Sequence, residues 1–152
     1  MQKNEIDLSI IIPVFNEEEN VLVLYEEIKE VVNYIAKRCE IIFVNDGSTD
    51  KTFEVLKGIK KKQERRSPNL KIISFSRNFG QTAAMQAGFD YSLGRIIVSM
   101  DGDLQNDPRD IPRFLMFQRI KHPMPYSIYL GVQHQSKKHF LETNMLLLFS
   151  LL

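Results

Sequence analysis

Two carboxylates separated by one glycine are the residues of this sequence whose types and spacing point most directly to chemistry. Asp101 and Asp103 flank Gly102 and follow a mostly apolar run at 96–100, so the sequence predicts a buried strand that ends at a pair of oxygen ligands. Hard cations such as Mg²⁺ or Mn²⁺ are held by a few carboxylates together with the phosphates of a substrate. Gly102 would let a ligand approach the backbone closely. Asp and Gly also form ordinary turns, so a turn without a metal is the alternative.

The composition predicts one soluble globular domain. The chain has 152 residues, of which 43% are hydrophobic and 26% are charged. A net charge of +1 gives no electrostatic case for nucleic acid as a partner. The single cysteine, Cys39, excludes an internal disulfide and a cysteine-rich zinc site, in agreement with a cytoplasmic location. The charged N-terminus is unlike a signal peptide, and no segment approaches the ~20 apolar residues that span a bilayer.

Strand-like and helix-like segments alternate along the chain. Short β-branched runs predict strands, and apolar residues spaced by three and four predict helices. Pro13 should end the first strand, Asn16 should cap the first helix ahead of acidic residues in its first turn, and Gly94 should stop the third helix. The last residues of the turn at 46–50 should cap the second helix. The predicted strands are 8–14, 40–45, 70–76 and 95–100, and the predicted helices are 17–37, 51–64 and 81–92.

This alternation predicts an α/β, Rossmann-like fold with a mainly parallel sheet and right-handed crossovers. The nearly continuous apolar runs indicate that helices cover both faces of the sheet. Ligands of such sheets bind beyond the carboxyl ends of the strands, near the point where the strand order reverses. A polar or charged group follows every predicted strand, as a nucleotide pocket would require. These groups are Asn16, Glu17, Asp46, Arg77, Asn78, Asp101 and Asp103.

Ordinary turn formation is the alternative explanation of these polar strand ends. It accounts for Asp46 adequately, but it accounts less well for Glu17 and for the acidic pair. The glycine-rich signatures of dinucleotide-binding dehydrogenases and of P-loop NTPases are absent from the sequence, which disfavours both classes. A nucleotidyltransferase could also use paired carboxylates, but the glycine-rich basic loop that it would need after the first strand is missing.

Four motifs together resemble family 2 glycosyltransferases of the GT-A fold. In chain order they read IIIPVFNEEENV, IIFVNDGSTDKT, SFSRNFGQTAAMQAGFDYSLG and IIVSMDGDLQNDP. The branch that they resemble most is that of the polyprenyl-phosphate transferases, which are similar to dolichyl-phosphate mannose synthase. The resemblance covers about residues 6–115, and it implies a GT-A nucleotide-sugar-binding half domain at 1–115.

The resemblance implies a nucleoside site at the ends of the first two strands. Pro13, Phe15 and Glu17 would line the pocket for the base and the ribose. Phe15 stands where the family usually has tyrosine, so stacking can remain while a hydroxyl contact is lost. Val44 and Asp46 would complete this site, with Asp46 accepting a hydrogen bond from the base or the ribose.

The resemblance also implies a metal and diphosphate site. The segment 101–103 matches the family's DxD motif, with Asp103 as a direct ligand of Mg²⁺ or Mn²⁺ and Asp101 reaching the ribose or a metal-bound water. Leu104 and Gln105 would follow into the region of the sugar and the diphosphate. The implied reaction is a metal-assisted, inverting transfer of sugar from a UDP- or GDP-linked donor. The implied acceptor is either a polyprenyl phosphate or a hydroxyl group, and a hydroxyl group would require a carboxylate base from a later segment. A location at the cytoplasmic face of a membrane would suit the lipid phosphate.

The tail at 116–152 departs from the family's motifs and is expected to be a truncated or frame-shifted end. The alternative function is therefore a non-catalytic fragment that retains at most nucleotide binding. Lys57, Lys60, Lys61, Lys62, Arg65 and Arg66 crowd the end of the second helix, and they predict either a solvated face or a contact with anionic lipid headgroups. His122, His134 and His139 lack zinc-site spacing and are expected at the surface, and Cys39 is expected to be a packed thiol.

Overall fold

The computed structural model of the protein describes residues 6–35, 38–63, 68–113, 115–116 and 127–129, and five strands of these segments form one sheet. The strands are β1 (Ile6–Val14), β2 (Cys39–Asn45), β3 (Asn69–Ser74), β4 (Gly94–Ser99) and β5 (Ser127–Tyr129). The helices between them are α1 (Val21–Ile35), α2 (Thr52–Lys62) and α3 (Gln81–Tyr91), and a single 3₁₀ turn covers Pro108–Asp110.

The strand order is β3-β2-β1-β4-β5, and every pair is parallel. The chain first winds outward from β1 to β3, and then returns past β1 to place β4 on its other side. The strand order therefore reverses between β1 and β4, which is where sheets of this kind bind ligands. The predicted α/β, Rossmann-like class with a mainly parallel sheet is confirmed.

Two apolar layers cover the two faces of the sheet. Alternate side chains of β1 point to opposite faces, so Ile10 and Ile12 join the large cluster under α1 and α2, whereas Ile11 joins Ile42, Val44 and Ala84 under α3. Burial on both faces explains why the strands read as continuous apolar runs rather than as alternating ones. The predicted burial of the Cys39 thiol is also confirmed.

Two expectations about helix ends are wrong. Helix α1 begins at Val21 and not at residue 17, because residues 17–20 form a turn in which the Glu17 carbonyl accepts hydrogen bonds from the N–H groups of Asn20 and Val21. The acidic residues expected in the first turn lie in this preceding turn, and Asn16 does not cap the helix. Gly94 is not a helix stop either, since α3 ends at Tyr91 and Gly94 opens β4. A side chain there would collide with β1, because an ideal Cβ would lie 2.4 Å from the backbone nitrogen of Ser9.

A buried carboxylate ties the amino ends of the strands together. Glu40 of β2 is fully buried, and its Oε1 accepts hydrogen bonds from the Ser9 hydroxyl and the Leu93 N–H, each at 2.6 Å. Its Oε2 lies 2.8 Å from the ammonium of Lys71 on β3. The Ser9 hydroxyl also accepts from the N–H of Gly94 at 2.8 Å. Glu40 thus links β1, β2, β3 and the α3–β4 turn at the edge of the sheet opposite the strand ends where ligands bind.

Several other predictions concern the surface or lie outside the described residues. The lysines at the end of α2 are exposed, as either of the two predictions for them requires. Arg65, Arg66, the three histidines and most of 116–152 lie outside the described residues, and the boundary at 115 stays a prediction. None of the helices in the described segments combines the length and the apolar character needed to cross a membrane.

Candidate functional site

Strands β1 and β4 separate at the carboxyl edge of the sheet. Their pairing ends at Ile11 and Ser99, and the last backbone hydrogen bond between them runs from the N–H of Met100 to the carbonyl of Ile11. Beyond this point β1 continues beside β2 alone, with Pro13 opposite Val44. Pro13 has no N–H to donate, and it lies where β4 no longer needs one. The loops that follow β1, β2, β3 and β4 therefore meet at the carboxyl edge of the sheet.

Asn16 joins the loop after β1 to the loop after β2. Its backbone has a φ of 58°, in the left-handed region that asparagine tolerates better than most residues. Its side-chain oxygen accepts hydrogen bonds from the N–H groups of Thr49 at 2.8 Å and Asp50 at 3.4 Å. Its own N–H donates to the Ser48 hydroxyl at 2.9 Å. Asn16 is therefore a clamp between two loops rather than the helix cap that the sequence predicted.

Asp50 also joins the two loops, and it accepts a hydrogen bond from the first residue of the second helix. One carboxylate oxygen accepts from the N–H of Glu18 at 3.1 Å, and the other accepts from the N–H of Thr52 at 2.9 Å. The N–H of Lys51 donates in return to the Glu18 carboxylate at 2.7 Å. Partial burial of Asp50 would raise its pKa, but the hydrogen bonds from the Thr52 hydroxyl, the Thr52 N–H and the Glu18 N–H outweigh it and lower the pKa below its usual 3.8. The N-cap position of α2 is Lys51, which makes no side-chain cap hydrogen bond. Of the turn residues predicted to cap α2, Asp50 accepts from the first N–H of the helix, that of Thr52, from one position before the N-cap.

The lowered pKa of Asp50 predicts an acid-dependent contribution to stability. A depressed folded-state pKa stabilises the fold above the unfolded value of 3.8, and this contribution is lost as the pH falls through the folded value. We expect wild type to be more stable than Asp50→Asn at neutral pH, with the difference shrinking below about pH 4. Urea unfolding of both proteins across this range measures it, and a difference that is independent of pH would contradict it.

Asp46 is buried beneath the loop that follows β3. Its side chain is 4% exposed, and its two oxygens accept hydrogen bonds from the N–H groups of Phe79 at 2.7 Å and Gly80 at 2.9 Å. The neighbouring Gly47 has a φ of 67°, and an ideal Cβ there would lie 2.2 Å from the carbonyl carbon of Arg77. Asp46 thus anchors the loop that starts α3, and its direct contact with a nucleoside stays a prediction.

The other residues predicted for the nucleoside end differ in exposure. Phe15 is 43% exposed after the end of β1, and Pro13 and Glu17 are partly buried. Glu17 is held in place because its carboxylate accepts from the Asn20 amide at 2.6 Å and its N–H donates to the Thr52 hydroxyl at 2.8 Å. The side chain of Val44 is fully buried in the cluster under α3, and a contact of this residue with a nucleoside stays a prediction.

The acidic pair lies in the loop that leaves β4. Oδ1 of Asp101 accepts a hydrogen bond from the side-chain amide of Gln81 at 2.9 Å, and Oδ1 of the exposed Asp103 accepts from the N–H of Gln105 at 3.1 Å. Gly102 between them is buried, and an ideal Cβ there would lie 2.6 Å from Cγ1 of Val14. The glycine is therefore required by close packing on β1, which is a different reason from the ligand approach that the sequence predicted.

Leu104 and Gln105 complete the predicted diphosphate region. Both are exposed, and Leu104 adopts a φ of 63°, an uncommon conformation for a residue with a branched side chain. Gln81 was not predicted as a site residue, although it is the first residue of α3 and follows a strand-end loop. A polar residue at the start of a helix on the ligand-binding edge was the signal that could have identified it.

The donor chemistry of the acidic pair fits a hard divalent cation. Across the described segments no group of three or more His, Cys, Asp or Glu residues is placed to hold a metal. Asp101 and Asp103 instead supply two carboxylates in the loop after β4, the first partly buried and the second exposed. Mg²⁺ and Mn²⁺ sites of phosphate-transfer enzymes use one or two carboxylates and complete their coordination with substrate phosphates and water. Two acidic residues are therefore enough for a cation that arrives with a diphosphate.

Comparison with known sequences gives consistent matches. The family model described as glycosyl transferase family 2 matches residues 9–144, which extends past the four motifs. A dodecaprenyl-phosphate galacturonate synthase of Rhizobium johnstonii is 50% identical over 107 residues, covering 70% of this chain and 31% of the relative. An undecaprenyl-phosphate 4-deoxy-4-formamido-L-arabinose transferase of Pectobacterium carotovorum is 38% identical over 111 residues, covering 73% of this chain and 33% of the relative. The chain thus spans about a third of the length of these relatives.

Solved structures support the fold independently. S. aureus TarS 1–349 superposes with a TM-score of 0.59 over 75% of this chain and 32% of that protein, at 19% identity. A crystal structure of the same protein in complex with UDP gives a TM-score of 0.58 over the same shares of the two chains, also at 19% identity. At this identity the likeness concerns the fold alone. Since the family model covers most of the sequence, the chain belongs to glycosyl transferase family 2.

Proposed function

We propose that this chain forms the donor side of a metal-dependent glycosyltransferase site, which binds a UDP- or GDP-linked sugar at the carboxyl edge of the sheet. The observation that carries the proposal is the position of Asp101 and Asp103, directly after β4 at the point where the strand order reverses. The clamped loops after β1 and β2 would hold the nucleoside, with Phe15 stacking on the base and Glu17 and Asp46 on the ribose side. Leu104 and Gln105 would contact the diphosphate and the sugar.

The reaction that we propose is an inverting displacement at the anomeric carbon of the sugar. A divalent cation held by Asp103, with Asp101 beside it, would supply charge stabilisation for the departing diphosphate. We propose a polyprenyl phosphate as the acceptor, since relatives that share 38–50% identity carry polyprenyl-phosphate transferase names. A phosphate acceptor is already anionic and needs no strong general base. Such an acceptor would place the chain at a membrane, and we propose the cytoplasmic face.

Asp103→Ala tests the metal site directly. We expect wild type to bind UDP or GDP more tightly with Mn²⁺ than with EDTA. We expect Asp103→Ala to bind the nucleotide roughly 100-fold more weakly than wild type in Mn²⁺. Mutating a residue that only supports a metal ligand typically lowers metal affinity 10–100-fold, and removal of the ligand itself should cost at least as much. Isothermal titration calorimetry measures both affinities.

The matched control is Asp90→Ala, which removes an exposed carboxylate of α3 that accepts a hydrogen bond from Gln86 at 2.8 Å. It should leave nucleotide binding unchanged. The proposal is contradicted if wild type binds neither nucleotide in a metal-dependent way. It is also contradicted if Asp103→Ala binds the nucleotide in Mn²⁺ as tightly as wild type.

Nucleotide binding without turnover is the alternative. It is favoured by the fact that the groups identified among the described residues all belong to the donor side. An assay that follows sugar transfer from UDP-linked and GDP-linked donors to undecaprenyl phosphate separates the two functions. Lipid-linked sugar that forms with wild type and is lost in Asp103→Ala supports the transferase, whereas tight Mn²⁺-dependent binding without product supports the alternative.

A further inference from the structure

Two sets of hydrogen bonds, joined by the peptide bond between Gly80 and Gln81, connect the loop after β2 to the loop after β4. At the nucleoside end, the buried carboxylate of Asp46 holds the N–H groups of Phe79 and Gly80. Gly80 is the last residue before α3, and Gln81 is the first residue of the helix. The Gln81 amide then donates to Oδ1 of Asp101 at 2.9 Å. The acidic residue after β2 is thereby connected to the acidic residue after β4 through a single residue of α3.

We propose that Gln81 is a positioning residue for Asp101, and that it aligns this carboxylate for the cation and diphosphate of the donor. The proposal rests on the proposed function, because it concerns the same donor site. In this arrangement Asp46 fixes where α3 begins, the start of α3 fixes Gln81, and Gln81 fixes the rotamer of Asp101. The residues at the nucleoside end therefore preorganise the residues at the phosphate end.

The chemistry of glutamine suits this task better than that of a charged donor. Asp101 lies in a loop beyond the end of β4, where a short side chain without a partner samples several rotamers. A hydrogen bond from a neutral amide to a carboxylate is strong enough to select one of them. A lysine would also donate, but its charge would oppose the binding of a cation at the same carboxylate. Glutamine orients Asp101 and leaves its negative charge intact.

The backbone of Gln81 is held in a fixed position, so its side chain can orient Asp101. Asp46 accepts hydrogen bonds from the N–H groups of Phe79 and Gly80, and these bonds fix the position at which α3 begins. The aligned peptide dipoles at this end of α3 also favour nearby carboxylates. Two acidic side chains, Asp46 and Asp101, are thus both held at the start of one helix by different donors. Loss of Gln81 would release Asp101 and leave the anchoring of the helix by Asp46 unchanged.

The test compares Gln81→Met with Gln86→Met. Methionine keeps the length of glutamine and removes the donor, and Gln86 forms an equivalent hydrogen bond with Asp90 on an exposed turn of the same helix. Calorimetry with UDP, and with GDP, gives the ratio of the dissociation constants in EDTA and in Mn²⁺. We expect Gln81→Met to reduce this ratio roughly tenfold, which is the effect of losing one hydrogen bond to a charged group. For Gln81→Met, the affinity in EDTA and the temperature of thermal unfolding should match wild type. For Gln86→Met, the affinities in EDTA and in Mn²⁺ and the temperature of thermal unfolding should all match wild type.

The possible outcomes distinguish the positioning role from the proposed function on which it rests. A wild-type protein without any gain in affinity from Mn²⁺ would overturn the proposed function and the positioning role with it. A wild-type gain that Gln81→Met retains in full would overturn the positioning role alone. The positioning role is also overturned if Gln86→Met loses as much as Gln81→Met, because the effect would then reflect α3 in general. Gln81→Ala provides a second variant with the same expectation.

Discussion

Replacing Glu40 with alanine is expected to destabilise the protein by about 3–5 kcal/mol, because two donors lose their buried acceptor at about 1–3 kcal/mol each. The fully buried carboxylate accepts from Ser9 and Leu93 and pairs with Lys71 at 2.8 Å. Its removal leaves the hydroxyl and the N–H without their acceptor, and leaves the ammonium without its counter-charge. Urea unfolding followed by circular dichroism measures the loss of free energy.

Glu26→Ala is the matched control for this loss. Glu26 forms an ion pair with Lys29 at 3.1 Å on α1, but its side chain is 53% exposed, so its removal should cost no more than about 0.5 kcal/mol. Glu40→Gln keeps the shape and can still accept from Ser9, so it should fall between the two. If Glu40→Ala were no more costly than Glu26→Ala, the buried network would not contribute to stability as described.

The position of Glu40 separates stability from function along the same strands. Glu40 and its partners lie toward the amino ends of β1, β2 and β3 and in the turn before β4, whereas the proposed donor site uses the carboxyl ends. A substitution at Glu40 should therefore change the free energy of unfolding and leave the nucleotide affinity of the folded protein unchanged. Substitutions of residues after the strand ends, such as Asp46, should lower the nucleotide affinity as well, because these residues hold the loops of the proposed donor site.

The order of the elements could be predicted from the sequence because it depends on local patterns. Each of the first four strands was placed to within two residues at both ends, since β-branched apolar runs between helical periods have few other interpretations. The short strand β5 was not predicted, because the three residues of Ser127–Tyr129 carry no periodicity. The start of α1 was wrong because Asn16 resembles a cap in sequence, whereas its partners Thr49 and Asp50 lie more than thirty residues away.

The site was predictable in its location and less so in its contacts. Parallel strands bring their carboxyl ends to one edge, so the polar residues after them had to be neighbours. What each of them touches depends on loop conformations that only tertiary structure determines. Val44 lies in the core, Asp46 bonds to backbone, and Asp101 is held by Gln81, and none of these contacts follows from spacing along the chain. The sequence likewise places Glu40 in a strand but does not predict that its carboxylate is buried.

Replacing Asp46 with asparagine is expected to destabilise the protein by about 2–4 kcal/mol and to weaken nucleotide binding, because two charge-assisted hydrogen bonds are involved. The two oxygens of Asp46 accept from Phe79 and Gly80, and an asparagine would turn a donor amide toward one of these N–H groups. One buried N–H would then face another donor, and the loop before α3 would lose its anchor. Urea unfolding gives the stability, and calorimetry with UDP or GDP gives the affinity.

Asp90→Asn provides the comparison, since it makes the same chemical change on an exposed turn of α3 and should alter stability by less than about 0.5 kcal/mol. The nucleotide affinities in EDTA and in Mn²⁺ distinguish the role of Asp46 from that of Gln81. Asp46→Asn should lower both, because it releases the loop and with it Gln81, whereas Gln81→Met should lower only the second. If Asp46→Asn left both affinities and the stability at wild-type values, Asp46 would not hold the loop. The link from the nucleoside end to Asp101 would then have no anchor.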